Sequence, residues 1–263
     1  MRGLTLLFLA ALAMGPHPVS AQPAPRLLGL TAEGGDFRAD LSDGTHLRGA
    51  QLVGAVLRFE GAALRIDTAR RDTETPLPGG GVAQDVWLFG MSVRAEGAEE
   101  WAPYCGVDPQ GERLAMPYPA ADGSLRLTCS AGAIGKCIRF GYRPWASLPD
   151  GRSLAPFHAT CSNLVRAAYG EPERGWTRDG MRIDIYDRVG IQDPSNDPTD
   201  SFEAGWTPAG AVCLAHTRVP ENGGVAEVVA AHPRLAAMAG PERCTEASAA
   251  GQGALLFNRS PRR

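Results

Sequence analysis

The sequence predicts an α+β fold that is β-rich, mainly antiparallel and disulfide-stabilised, with one well-defined central helix. Three observations predict it. Several short segments between Leu57 and Tyr186 alternate apolar and polar residues at a period of two, the pattern of half-buried strands. One stretch repeats at helical spacing instead, through Phe157, Cys161, Leu164, Val165 and Ala168. The chain also carries six cysteines, an even number that suits a disulfide framework. Strands and helices do not alternate, which argues against a βαβ sheet.

The elements follow in order. Arg2, the apolar run Leu4 to Met14 and the small residues Val19-Ser20-Ala21 read as a secretory signal cleaved near Ala21. The run is too short for a stable membrane anchor, which needs about 20 residues. Residues 22–26 form a Pro-rich linker. Leu47, Leu52 and Leu57 recur every five residues, too briefly for a solenoid, and read as a strand-and-turn segment. Leu57 and Phe59, then Leu64 and Ile66, flank Gly61 as a hairpin. Asp72 to Val82 is a loop, Val86 to Arg94 a strand, and Glu99 to Tyr104 its antiparallel return. Leu125 to Cys129 and Ile138 to Tyr142 are read as further strands.

Ser153 is placed to cap the central helix, and Gly170, with Pro172 beyond, to end it. Met181, Ile183 and Ile185 begin a strand, and Asp193 to Asp200 an acidic loop. Val212 to Leu214 and Ala254 to Phe257 complete the strands, with a short helix over Val225 to Ala231. The organisation expected is a signal peptide (1–21), an N-terminal β-rich region (22–120) and a cysteine-containing domain (121–263).

Export and charge bound the function. The net charge of −3 argues against nucleic acid and anionic membrane surfaces as partners. The chain is expected to be secreted or periplasmic and not membrane-embedded, meeting an envelope or extracellular ligand. Cys105, Cys129, Cys137, Cys161, Cys213 and Cys244 lack a Cys-x-x-Cys pair, so structural disulfides are expected rather than a zinc ribbon or redox centre. Cys129 shares a strand face with Leu125 and Leu127, while Cys137 falls on the opposite parity. Pairing Cys129 with Cys161 on the helix is therefore preferred over the local Cys129–Cys137 bridge.

Lys136-Cys137 runs into Gly141-Tyr142-Arg143-Pro144-Trp145, followed by His158, Cys161, Arg166-Ala167 and Thr177-Arg178-Asp179-Gly180 to Asp187-Arg188. A weaker echo is Phe202-Glu203-Ala204 before Gly210-Ala211-Val212-Cys213. This ordered set resembles the ADYC-domain family of exported bacterial proteins, and it assigns an ADYC-like character to residues 121–263. The resemblance implies a fold and a compartment, with no established reaction. Where the family motif has Ala-Asp-Tyr-Cys, this chain reads Ala167-Ala168-Tyr169-Gly170, so its acid and its cysteine are absent.

Candidate chemistry lies in the same region. Lys136 is the only lysine among 26 basic residues, and an ammonium titrates where a guanidinium does not. Against this stands an ordinary loop lysine beside a disulfide. His158 and Cys161 share a helix side and resemble a nucleophile pair, although Cys161 lies where a structural cysteine belongs. Asp179, Asp184 and Asp187, with Asp193, Asn196, Asp197 and Asp200, supply the oxygen ligands that calcium takes. Their spacing misses the EF-hand, and Asp-Gly and Asp-Pro pairs are ordinary turn chemistry. No metal or other cofactor is therefore assigned, calcium being the one ion these residues suit. Tyr142, Trp145, Tyr169 and Trp176 offer either a stacking surface or core packing. No Gly-x-Ser-x-Gly elbow or His-Glu-x-x-His helix occurs. The reading favoured is a non-catalytic binding or structural module. The alternative is a hydrolase using His158 and aspartates of the 179–200 segment.

Overall fold

The computed structural model describes residues 25–170, 174–195 and 197–261, so the expected signal segment lies outside the described residues. Strands β1 (Leu27–Glu33), β2 (Asp36–Leu41) and β3 (His46–Arg48) form a small sheet in that order. A six-stranded sheet follows, built from β4 (Val56–Phe59), β5 (Ala62–Arg71), β6 (Trp87–Ala95), β7 (Ala102–Pro103), β8 (Leu114–Pro119) and β9 (Leu125–Cys129). Its order is β4-β5-β6-β8-β9, with β7 on β6, and every ladder is antiparallel. The hairpin between β8 and β9 carries this sheet across residue 120.

Helices α1 (Ala133–Arg139) and α2 (Ala155–Arg166) come next. Strands β10 (Asp184–Asp187), β11 (Asp200–Thr207), β12 (Gly210–Leu214) and β13 (Leu256–Pro261) make a third antiparallel sheet, ordered β10-β13-β11-β12. Two short helices, α3 (Val225–Ala231) and α4 (Glu246–Gly251), fill the return between β12 and β13. The fold is thus β-rich and antiparallel, and α2 is its longest helix among the described residues.

The alternation read in β5 and β6 appears as two packed faces. Ile66, Phe89 and Met91 meet Phe37 and Ala39 of the small sheet, while Leu88 and Met116 on the other face meet Ile138 of α1. A separate core gathers Phe157, Cys161 and Leu164 of α2 against Trp206 and Leu256 of the third sheet. Burying a side chain such as Phe157 or Leu164 contributes roughly 1.5–3 kcal/mol, so this stripe anchors the helix.

Three expectations are corrected. Residues 138–142 are not a strand: α1 runs to Arg139 and the chain then turns through Gly141. Gly135 allows this, because a Cβ there would lie 2.2 Å from the Cys129 carbonyl oxygen, and so the helix can lie directly on the end of β9. The central helix ends at Ala167 rather than Gly170. Ala167 adopts φ 49°, and its N–H and that of Ala168 donate back to Leu164 and Asn163, a Schellman closure without glycine. Ser153 accepts the Ala155 N–H at 3.1 Å at the other end.

The third correction is the cysteine pairing, which is Cys105–Cys129, Cys137–Cys161 and Cys213–Cys244. Once 133–139 is helical, Cys137 points into the core and reaches Cys161 on α2. Cys129 is left to the loop that carries Cys105. No helix of the described residues is long and apolar enough to cross a membrane.

Candidate functional site

Two disulfides and one buried ion pair build a cleft between the halves of this fold. Cys137–Cys161 ties α1 to α2, so Lys136 is held facing the C-terminal turn of α2. Cys105–Cys129 holds the 105–113 loop on β9. Within that loop Asp108 accepts the N–H groups of Gln110 and Glu112, at 3.0 and 2.9 Å, and the Ser130 hydroxyl at 2.8 Å. Burial pushes the Asp108 carboxyl up, but these donors and Arg139 together hold it below the usual range. The turn places Pro109 and Gln110 on the rim.

The floor is Arg218, which is 1% exposed. Its Nε and Nη2 grip the two oxygens of Glu203, each at 3.1 Å, and its Nη1 and Nη2 donate to the carbonyls of Val165 and Leu164. A cation there also satisfies the last turn of α2 and its dipole. Glu203, wholly buried, further accepts the Tyr169 hydroxyl at 2.9 Å and the Asn258 amide at 2.8 Å. Burial pushes its carboxyl up, yet the Arg218 charge and hydrogen bonds outweigh this and hold it below the usual glutamate range.

The resulting cleft encloses about 760 Å³ between α1, the end of α2 and residues 177–183. A hollow of about 360 Å³ adjoins it, sharing Pro109, Gln110, Lys136 and Phe140. Arg182 on the cleft wall is paired with Asp197 and with Asp200, and Arg139 in the hollow with Asp72 and Glu74. Among the described residues, the side chains of Lys136, Arg166 and Arg178 have no ion-pair or hydrogen-bond partner, and Asp179 is the one carboxylate that lines the cleft.

The predicted site residues do not all line one pocket. Lys136 and Asp179 share the cleft, whereas His158 lines an adjoining depression with Ile134 and Ser162 that has Gly132, Ala133 and Arg166 in common with the cleft. His158 is 9% exposed and its Nε2 lies 3.3 Å from the Ile134 carbonyl oxygen. Burial pulls its pKa down to about 4, which that hydrogen bond only partly offsets, so the ring is neutral and a weak base. Cys161, its proposed partner, is consumed in a disulfide.

Asp187 is saturated by the N–H groups of Val189, Ile191 and Gln192 and by the Tyr142 hydroxyl at 2.8 Å. It shapes a turn. Asp184 accepts the Ser195 N–H with both oxygens. Among the aspartates that suit calcium, the Arg182 guanidinium lies between Asp197 and Asp200, and Asn196 lies outside the described residues. Among the described residues no group of three or more His, Cys, Asp or Glu side chains could hold a metal ion. Of the two readings open for the aromatic residues, core packing fits three of the four. Tyr142, Tyr169 and Trp176 are buried, and Trp145 is tied by its Nε1 to Asp85 at 2.7 Å.

Sequence reasoning left Arg166 and Arg178 as parts of a resemblance and passed over Arg218. Its partner Glu203 lies on β11, a strand the periodicity did not reveal, so nothing marked either as buried.

The fold and site define a disulfide-stapled antiparallel α+β domain with an open, cation-lined cleft. A family model described as ADYC domain matches residues 44–220, and the chain belongs to that family. No curated protein and no solved structure matches it. Within the family motif, Gly170 stands where a cysteine is expected. A Cβ at that position would fall 1.9 Å from Cε1 of His232, so the imidazole fills the space of the missing side chain.

Proposed function

We propose that this is an exported, non-catalytic binding module that takes its ligand in the cleft between α1, α2 and residues 177–183. The observation that carries this is the division of the family motif. Cys137, Tyr142, Cys161 and Asp187 go into the core and turns, while Lys136, Arg166, Thr177, Arg178, Asp179 and Gly180 line one cleft. Segments about 40 positions apart thus converge on one concavity, of the size small-molecule sites usually have. Export rests on the tripartite N-terminal signal in the sequence and on three disulfides, which persist outside the reducing cytoplasm.

The hydrolase reading loses its support because His158, Lys136 and a carboxylate do not meet in one pocket. Thermal melting of the chain from Gln22 against a library of small extracellular metabolites tests the proposal. At least one ligand should raise the melting temperature of the wild type and of His158→Asn, but not of Arg166→Ala/Arg178→Ala. A library with no cleft-dependent ligand contradicts the reading. So does turnover of an ester, peptide or glycoside that disappears in His158→Asn.

A further inference from the structure

We infer that the cleft recognises a small oxyanion carrying two or more negative charges, such as a polycarboxylate or a phosphorylated metabolite. This rests on the cleft being the ligand site, as proposed above. The chain as a whole is acidic, with a net charge of −3, yet among the described residues five cations and one carboxylate line this cleft. Two of those cations are neutralised where they stand, Arg182 by Asp197 and Asp200, and Arg218 by Glu203. Lys136, Arg166 and Arg178 remain against Asp179, a local surplus of about two positive charges.

Their placement matters as much as their number. Lys136 projects from α1, Arg166 from the last turn of α2 and Arg178 from the segment facing them. A ligand with a single charge would engage one wall, whereas a compact polyanion bridges all three. Guanidinium forks match carboxylate and phosphate oxygens in a bidentate manner, and the ammonium adds a point charge.

One feature opposes an anion here: the C-terminal end of α2 presents its carbonyls toward this region. Arg218 weakens that opposition, because although Glu203 balances its charge, its N–H groups satisfy the carbonyls of Leu164 and Val165. The cleft volume of about 760 Å³ suits a metabolite rather than a polymer.

Isothermal titration with citrate, inorganic phosphate and sulfate, at constant ionic strength, tests the inference, with sucrose as the neutral probe. Citrate should bind more tightly than sulfate, and its affinity should fall steeply with added NaCl. It should weaken at least tenfold in Arg166→Ala/Arg178→Ala and in Lys136→Ala, while Arg58→Ala, remote from the cleft, binds normally. Circular dichroism of each variant establishes that it is folded. A neutral ligand that binds in the cleft, and is lost in the same variants, overturns the anionic class but leaves the site standing. Citrate binding indifferent to all three substitutions, or no binding by any probe, overturns the inference. Binding only to vesicles containing phosphatidylglycerol, and not to free citrate, overturns the small-ligand assignment.

Discussion

A glutamate and an arginine taken wholly out of water cost several kcal/mol each unless every polar atom finds a partner. Glu203 and Arg218 meet that condition through each other, Tyr169, Asn258 and the end of α2. Removing one member should therefore be far worse than losing a surface ion pair. Arg218→Ala or Glu203→Ala should each lower unfolding free energy by about 3–5 kcal/mol in urea titration, and a loss below about 1 kcal/mol would show that the pair is not buried.

His158 gives a pH dependence of its own. Its folded pKa, about 4, lies below the ordinary 6.5, so its contribution is present above pH 6.5. As pH falls from 6.5 toward 4, the unfolded chain takes up the proton that the folded ring refuses, and roughly 3 kcal/mol of stability is lost. Glu203, held below its ordinary value, adds to the loss at more acidic pH. Urea midpoints at pH 7 and pH 4.5 should show a smaller difference for His158→Asn than for the wild type. At Gly170 the obstacle is the His232 ring, a side chain able to swing aside. Gly170→Ala should thus cost only about 1–2 kcal/mol, and His232→Ala should relieve it in the double variant.

At the scale of elements, the disulfide between α1 and α2 sets the width of the cleft. Cys137→Ala/Cys161→Ala should cost about 2–4 kcal/mol and weaken ligand binding together with stability. Non-reducing peptide mapping should recover Cys105–Cys129 and Cys137–Cys161 peptides; a Cys129–Cys161 peptide would contradict the helical α1. The sequence made the β4–β5 hairpin and the helix at Val225–Ala231 legible, because alternation and apolar spacing there agree with the turns around them. It misled at α1, where Ile138, Phe140 and Tyr142 mimic a strand while only Gly135, Cys137 and Ile138 of a seven-residue helix are buried. It was silent at β8, whose Pro117 lies past the β6 ladder and so needs no hydrogen bond on that side. It was silent too at β11, whose buried Glu203 breaks the apolar pattern.

For the whole molecule, the decisive property is where charge is left unpaired. Most candidate residues chosen for their chemistry, His158, Asp184 and Asp187 among them, turn out to satisfy backbone groups. Lys136 could be singled out from the sequence by its rarity. Its meeting with Arg166 and Arg178 could not, because that depends on a disulfide and an ion pair between distant segments. A cleft of this kind in an acidic protein should attract anions at a rate that falls with ionic strength.

The most direct test is an amide-resonance titration of the isotope-labelled chain with citrate at constant ionic strength. Shifts concentrated at Lys136, Arg166 and residues 177–183 are predicted. Shifts centred on His158, or scattered without a focus, would contradict a ligand site in the cleft.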